Sequence, residues 1–99
     1  MDITEKKNGK ELCISLKGRL DTTTAPELEK VLAGSLDGVA ELDFDMGALD
    51  YLSSAGLRIL LSAQKRMNKQ GSMKVMNVNE TIMEIFEVTG FADILTIES

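Results

Sequence analysis

Leu12, Ile14 and Leu16 alternate with Glu11, Cys13, Ser15 and Lys17. That period of two is the mark of a strand with one buried face. Upstream, Ile3-Thr4-Glu5-Lys6 is separated from it by Lys7-Asn8-Gly9-Lys10. Asn-Gly favours the two-residue turn of a hairpin, so the chain should open with two antiparallel strands, the second ending at Gly18. Thr24-Ala25-Pro26-Glu27 then begins a helix. Thr24 and Glu27 have the spacing of a capping box, and proline fits a first helical turn. Leu28, Val31, Leu32 and Leu36 form its apolar stripe, with Glu27, Glu29 and Lys30 on the other face and Asp37-Gly38 at its end.

The alternation returns in Ala40-Glu41-Leu42-Asp43-Phe44-Asp45, the next predicted strand. A loop over Met46–Leu52 should lead to a second helix from Ser54 to about Gln70, stopped by Gly71. Leu57, Leu60, Leu61 and Met67 should face inward, with Ile59 and Ala63 on the flank. Met73–Val78 reads as a strand, and Asn79 can cap a third helix carrying Ile82, Ile85, Phe86 and Val88, closed by Gly90. Ile94–Ile97 is a candidate last strand. After the hairpin the order is therefore β-α-β-α-β-α-β. Helices between strands favour parallel pairing with right-handed crossovers. The alternating strands imply a sheet with one face uncovered or only partly covered. The expected fold is a single α/β domain over residues 1–99, a mixed sheet of four to five strands with helices mainly on one face.

Composition narrows the chemistry. The 99 residues are 43% hydrophobic but contain no Trp, one Tyr and three Phe, so Leu, Ile, Val and Met must fill the core. A net charge of −5 argues against sequence-independent binding to nucleic acid or to an anionic membrane. With no His, the commonest general base, the imidazole metal ligand and the Ser-His triad are missing together. The single Cys13 cannot form an internal disulfide and reads as a small core residue. Asp2, Glu5, Lys6 and Lys7 break any apolar leader pattern, and no stretch has the length of a membrane span, so the expectation is a cytoplasmic protein.

Few residues remain as candidates for chemistry. Asp43 and Asp45 share the polar face of a strand, but acidic residues there are ordinary and no activating partner accompanies them. Asp43, Asp45 and Asp50 make no convincing cation site, because hard cations need several converging oxygen ligands. No dinucleotide or phosphate-loop glycine fingerprint is present. Arg58, Lys65, Arg66 and Lys69 fit a solvated helix face. No catalytic residue, metal ligand or cofactor is therefore expected. The exception is Leu52-Ser53-Ser54-Ala55-Gly56-Leu57, with two hydroxyls at the start of a helix. A serine there can cap the helix, and the same place is favourable for a phosphate. Local sequence by itself favours the cap, because serine is a preferred N-cap.

A second segment bears on the choice. Gly18-Arg19-Leu20-Asp21-Thr22-Thr23-Thr24-Ala25, followed by Leu52-Ser53-Ser54-Ala55-Gly56-Leu57, resembles the STAS domain family, and within it the bacterial anti-sigma factor antagonists. Ile85-Phe86-Glu87-Val88-Thr89-Gly90-Phe91 is a weaker match in the same register. The resemblance implies a regulatory domain and not an enzyme. Its partners would be an anti-sigma factor serine kinase, which phosphorylates Ser54 (Ser53 as second choice), and a serine phosphatase. It also implies a partner-binding surface of Asp21, Thr22, Thr23, Ser53, Ser54, Ala55, Gly56 and Arg58. Binding of the unphosphorylated form would release a sigma factor. STAS-like domains also serve as subunits of transport complexes, the alternative role. One position departs from the antagonist pattern: Ser53 stands where those proteins usually carry Asp before the phosphorylated serine.

Overall fold

A computed structural model describes residues 1–98. The opening hairpin pairs β1 (Asp2–Asn8) with β2 (Glu11–Leu20) in antiparallel register around the Asn8-Gly9 turn. The chain continues through α1 (Ala25–Ser35), β3 (Glu41–Leu52), α2 (Ser54–Gln70), β4 (Ser72–Met76), α3 (Glu80–Thr89), a 3-10 turn at Phe91–Asp93, and β5 (Ile97–Glu98). The five strands lie side by side in chain order, and β2 through β5 are mutually parallel. Each parallel step advances in the same direction across the sheet. Right-handed crossovers then carry all three helices to one face.

That face holds the core. Leu12, Ile14 and Leu16 of β2, Leu42, Phe44 and Met46 of β3, and Met73 and Val75 of β4 are buried against Leu28 and Leu32 of α1, Leu57, Leu60 and Met67 of α2, and Ile82 and Phe86 of α3. The opposite face is open. Register aligns Cys13, Asp43 and Lys74 in one row and Ser15, Asp45 and Met76 in the next. The polar phase of the alternation therefore lies on one surface with no helix above it.

Several local expectations change. Gly18 does not end β2. It adopts φ +104° inside the strand, where the β2–β3 register shifts, and the strand runs on to Leu20. The segment Met46–Leu52, expected as a loop, continues β3 for a strand of 12 residues. Its pairing with β2 supplies the hydrogen bonds that its interrupted alternation did not advertise. The Thr24 capping box does not form. Thr24 stands at the N-cap in an αR conformation, and its hydroxyl donates to the Arg19 carbonyl at 2.8 Å. On α2, Ile59 is buried and Leu61 only half-buried, the reverse of the expected roles. On α3, Val88 is 80% exposed and Ile85 half-buried. The last strand is two residues long and begins at Ile97, after Leu95 has entered the core.

Two glycines are required by packing and not by conformation. A Cβ on Gly56 would lie 2.7 Å from Leu20 Cγ and 2.7 Å from Leu52 Cδ1. The first turn of α2 therefore rests directly on the ends of β2 and β3. A Cβ on Gly71 would run into the backbone of Ala40, although Gly71 itself is extended.

Candidate functional site

β2 and β3 end together. Leu20 pairs with Leu52, and the Ser53 amide donates to the Leu20 carbonyl at 2.9 Å. The loop after β2 and the start of α2 are thus neighbours at the carboxyl edge of parallel strands, where open α/β sheets commonly place their sites. This brings Asp21, Thr22 and Thr23 beside Ser53, Ser54 and Ala55, residues some thirty positions away in the chain.

The two serines divide their duties. Ser53 is the N-cap of α2, extended at φ −93° and ψ 173°, and its hydroxyl oxygen accepts from the Gly56 amide at 3.4 Å. Its carbonyl accepts the first helical hydrogen bond, from Leu57 at 2.9 Å. Ser54 is the first helical residue and is exposed. Among the described residues its hydroxyl takes part in no side-chain hydrogen bond, so capping does not occupy it. Aspartate and serine rank alike as N-caps, so the unusual Ser53 keeps the capping function while removing a charge.

The Asp21 loop is tied down by its own carboxylate. Asp21 Oδ1 accepts from the Thr23 hydroxyl at 2.7 Å, the Thr23 amide at 3.0 Å and the Thr24 amide at 3.2 Å. These bonds, led by the Thr23 hydroxyl, hold the carboxyl below its ordinary range. Thr22 is exposed at the tip. Arg19 approaches Asp21 Oδ2 at 3.7 Å, and its guanidinium lies 4.3 Å from the centre of the Tyr51 ring. A cation over an aromatic face is attractive, and the stack fastens the end of β2 to the end of β3. No spacing or motif in the chain pairs Arg19 with Tyr51. Tyr51, the sole tyrosine and next to the serine segment, was the available signal.

On the other side of Ser54, a groove of about 320 Å³ is lined by Ser54, Leu57, Arg58, Leu61, Thr89 and Phe91. Arg58 is exposed at the start of α2. Thr89 and Phe91 reach this groove from the end of α3, a contact that spacing along the chain does not reveal. Gly56 and Ala55 are buried and half-buried, so they shape the helix start and do not project from it.

The remaining candidates lie elsewhere. Asp43 and Asp45 sit on the open sheet face, away from the strand ends that carry Ser53. Asp45 accepts from the Asn77 amide group and from the Gly47 amide, both at 3.0 Å, which lowers its pKa. Burial is the largest effect on Asp43 and raises its pKa, partly offset by Lys74. Burial also pushes the Cys13 thiol up, which keeps it in its less reactive protonated form. Among the described residues no three or more Asp, Glu or Cys side chains converge as metal ligands. Among the described residues no helix is long and apolar enough to cross a membrane.

The sequence profile of the STAS domain matches residues 2–99. The chain belongs to the STAS domain family. It is 34% identical over 99 residues to BtrV of Bordetella bronchiseptica, itself a candidate anti-sigma factor antagonist, covering 98% of this chain and 85% of that protein. It is 28% identical to the anti-sigma-B factor antagonist of Bacillus subtilis, covering 100% of this chain and 92% of that one. Among solved structures, the Bacillus anti-sigma factor antagonist SpoIIAA shares the STAS fold at 15% identity. Its unphosphorylated form aligns with a TM-score of 0.79, covering 99% of this chain and 88% of that one. Its phosphorylated form aligns at 0.77, covering 99% and 92%. These relatives are regulatory proteins and not enzymes, in keeping with the expected class.

Proposed function

We propose that this STAS protein is an anti-sigma factor antagonist, switched by phosphorylation of Ser54. The observation that carries the reading is the division of labour at α2: Ser53 caps the helix and leaves the Ser54 hydroxyl exposed. In the unphosphorylated state the Asp21–Thr23 loop, Ser53, Ser54, Ala55, Gly56 and Arg58 form the surface for an anti-sigma factor that is also a serine kinase. Its capture frees a sigma factor. All of this takes place in the cytoplasm.

Phosphorylation ends the interaction. The Ser54 oxygen attacks the γ-phosphorus of ATP bound to the partner kinase, and the bond from that phosphorus to the bridging oxygen breaks. ADP leaves, and the hydroxyl proton passes to a base of the kinase. The product carries about −1.5 to −2 charges at neutral pH. A partner surface fitted to a neutral hydroxyl beside the Asp21 carboxylate then meets bulk and repulsion. A penalty of about 3 kcal/mol weakens binding roughly a hundredfold. The helix N-terminus offsets part of the intramolecular cost, so the fold can stay as it is. Both forms of SpoIIAA align with this fold, which supports a switch carried by surface charge. A serine phosphatase would restore the active form.

The test is direct. Incubation with the cognate kinase and ATP, followed by peptide mass spectrometry, should place one phosphate on Ser54. A phosphate confined to Ser53, or none from a kinase shown to be active, would overturn the assignment.

A further inference from the structure

We infer that Arg58 is the intramolecular receptor for the phosphate carried by Ser54. Phosphorylation then adds charge and also withdraws a cation from the partner-facing surface. The inference rests on the reading of Ser54 as the switch residue and adds to it a specific contact.

Two arginines flank the serine, and the structure separates them. Arg19 is engaged, stacked on Tyr51 at 4.3 Å and 3.7 Å from an Asp21 carboxylate oxygen. Arg58 has no ion-pair partner among the described residues, is exposed, and lines the same groove as Ser54. The two residues are four apart at the start of one helix. Side chains at that spacing stand one above the other, with Cβ atoms about 5 to 6 Å apart. An acid four residues before a base is the favourable orientation of such a pair. A phosphate monoester has three acceptor oxygens, and the guanidinium fork matches two of them at once. No acidic residue in the first turn of α2 competes for Arg58.

The rest of the groove constrains where the phosphate goes. Leu57, Leu61 and Phe91 line it with apolar surface and Thr89 with a hydroxyl whose hydrogen is already donated to the Ile85 carbonyl at 2.6 Å. Within this groove the free strong donor is therefore Arg58. Asp21 follows Leu20, whose carbonyl accepts from the Ser53 amide, and it does not line the groove, so its negative charge disfavours a phosphate turned towards β2. Before modification the Arg58 guanidinium is available to a carboxylate on a partner. Afterwards it is held in cis, and the same surface offers a dianion in its place.

The test requires no partner protein. Phosphoserine is placed at position 54 of the full chain by genetic encoding, and its phosphorus resonance is titrated by NMR. The cation should hold the second ionisation of the phosphate below its ordinary value near 6. Arg58→Gln should raise it by about 0.3 pH unit, a twofold change in proton affinity, while Arg19→Gln leaves it nearly unchanged. Circular dichroism checks that both variants are folded. A shift below 0.1 pH unit for Arg58→Gln, or a shift found only for Arg19→Gln, overturns the inference. Because the phosphoserine is incorporated during synthesis and not by the kinase, failure of the natural kinase to modify Ser54 would overturn the switch reading and leave this contact decided by the titration.

Discussion

Ser53 and Ser54 are adjacent in the chain, yet their hydroxyls face different tasks. Removing the Ser53 hydroxyl takes away an N-cap, so Ser53→Ala should cost about 1 kcal/mol of unfolding free energy in urea titrations. Ser54→Ala removes nothing the fold uses and should stay within about 0.5 kcal/mol of the parent. Equal losses for the two would contradict the assignment of the cap. The carboxylates of the open sheet face make a second residue-level contrast. Asp45 is held below its ordinary pKa by bonds from Asn77 and Gly47, so its contribution to stability is present at neutral pH and is lost as pH falls through the folded-state value. Asp43 is raised by burial, so its proton is bound more tightly in the folded state and its contribution grows on acidification. Denaturation across acid pH should therefore show a shallower loss of stability for Asp45→Asn and a steeper one for Asp43→Asn.

At the scale of elements, the seating of α2 decides the geometry of the site. Gly56 lets the helix touch Leu20 and Leu52, the last residues of β2 and β3. Gly56→Ala improves helix propensity by about 1 kcal/mol but forces contacts at 2.7 Å, so it should be destabilising overall, by about 1–2 kcal/mol in denaturant titrations. Gly71→Ala meets the Ala40 backbone, which cannot rotate away, and should destabilise more than Gly56→Ala in the same measurement. The helix periodicity that marks α2 was legible from Leu57, Leu60 and Met67, because a one-sided helix must bury a stripe. The close approach of Gly56 was not, since a glycine near a helix start has several ordinary explanations. The length of β3 was hidden for a related reason. Gly47 and Ala48 interrupt the alternation, and only pairing with β2 shows that the backbone stays extended through Leu52.

For the whole molecule, the arrangement predicts that the proposed switch is a surface event. Ser54→Asp should leave the melting temperature within a few degrees of the parent, because residue 54 is exposed and the cap at Ser53 is intact. The same variant should bind the cognate anti-sigma factor at least tenfold more weakly by calorimetry, since a carboxylate supplies part of the charge of a phosphate. Unfolding of the variant would instead show that position 54 serves the fold. The sequence by itself determined the element order, the parallel character of the sheet, the buried phase of β2 and of the first half of β3, and the serine segment as the unusual feature. These follow from local periodicity and turn chemistry, which are properties of neighbouring residues. Tertiary structure alone decided which serine caps, that Arg19 stacks on Tyr51, and that Thr89 and Phe91 share a groove with Ser54. Those facts depend on the register between β2 and β3 and on where α3 returns to the sheet, and no short-range pattern encodes either.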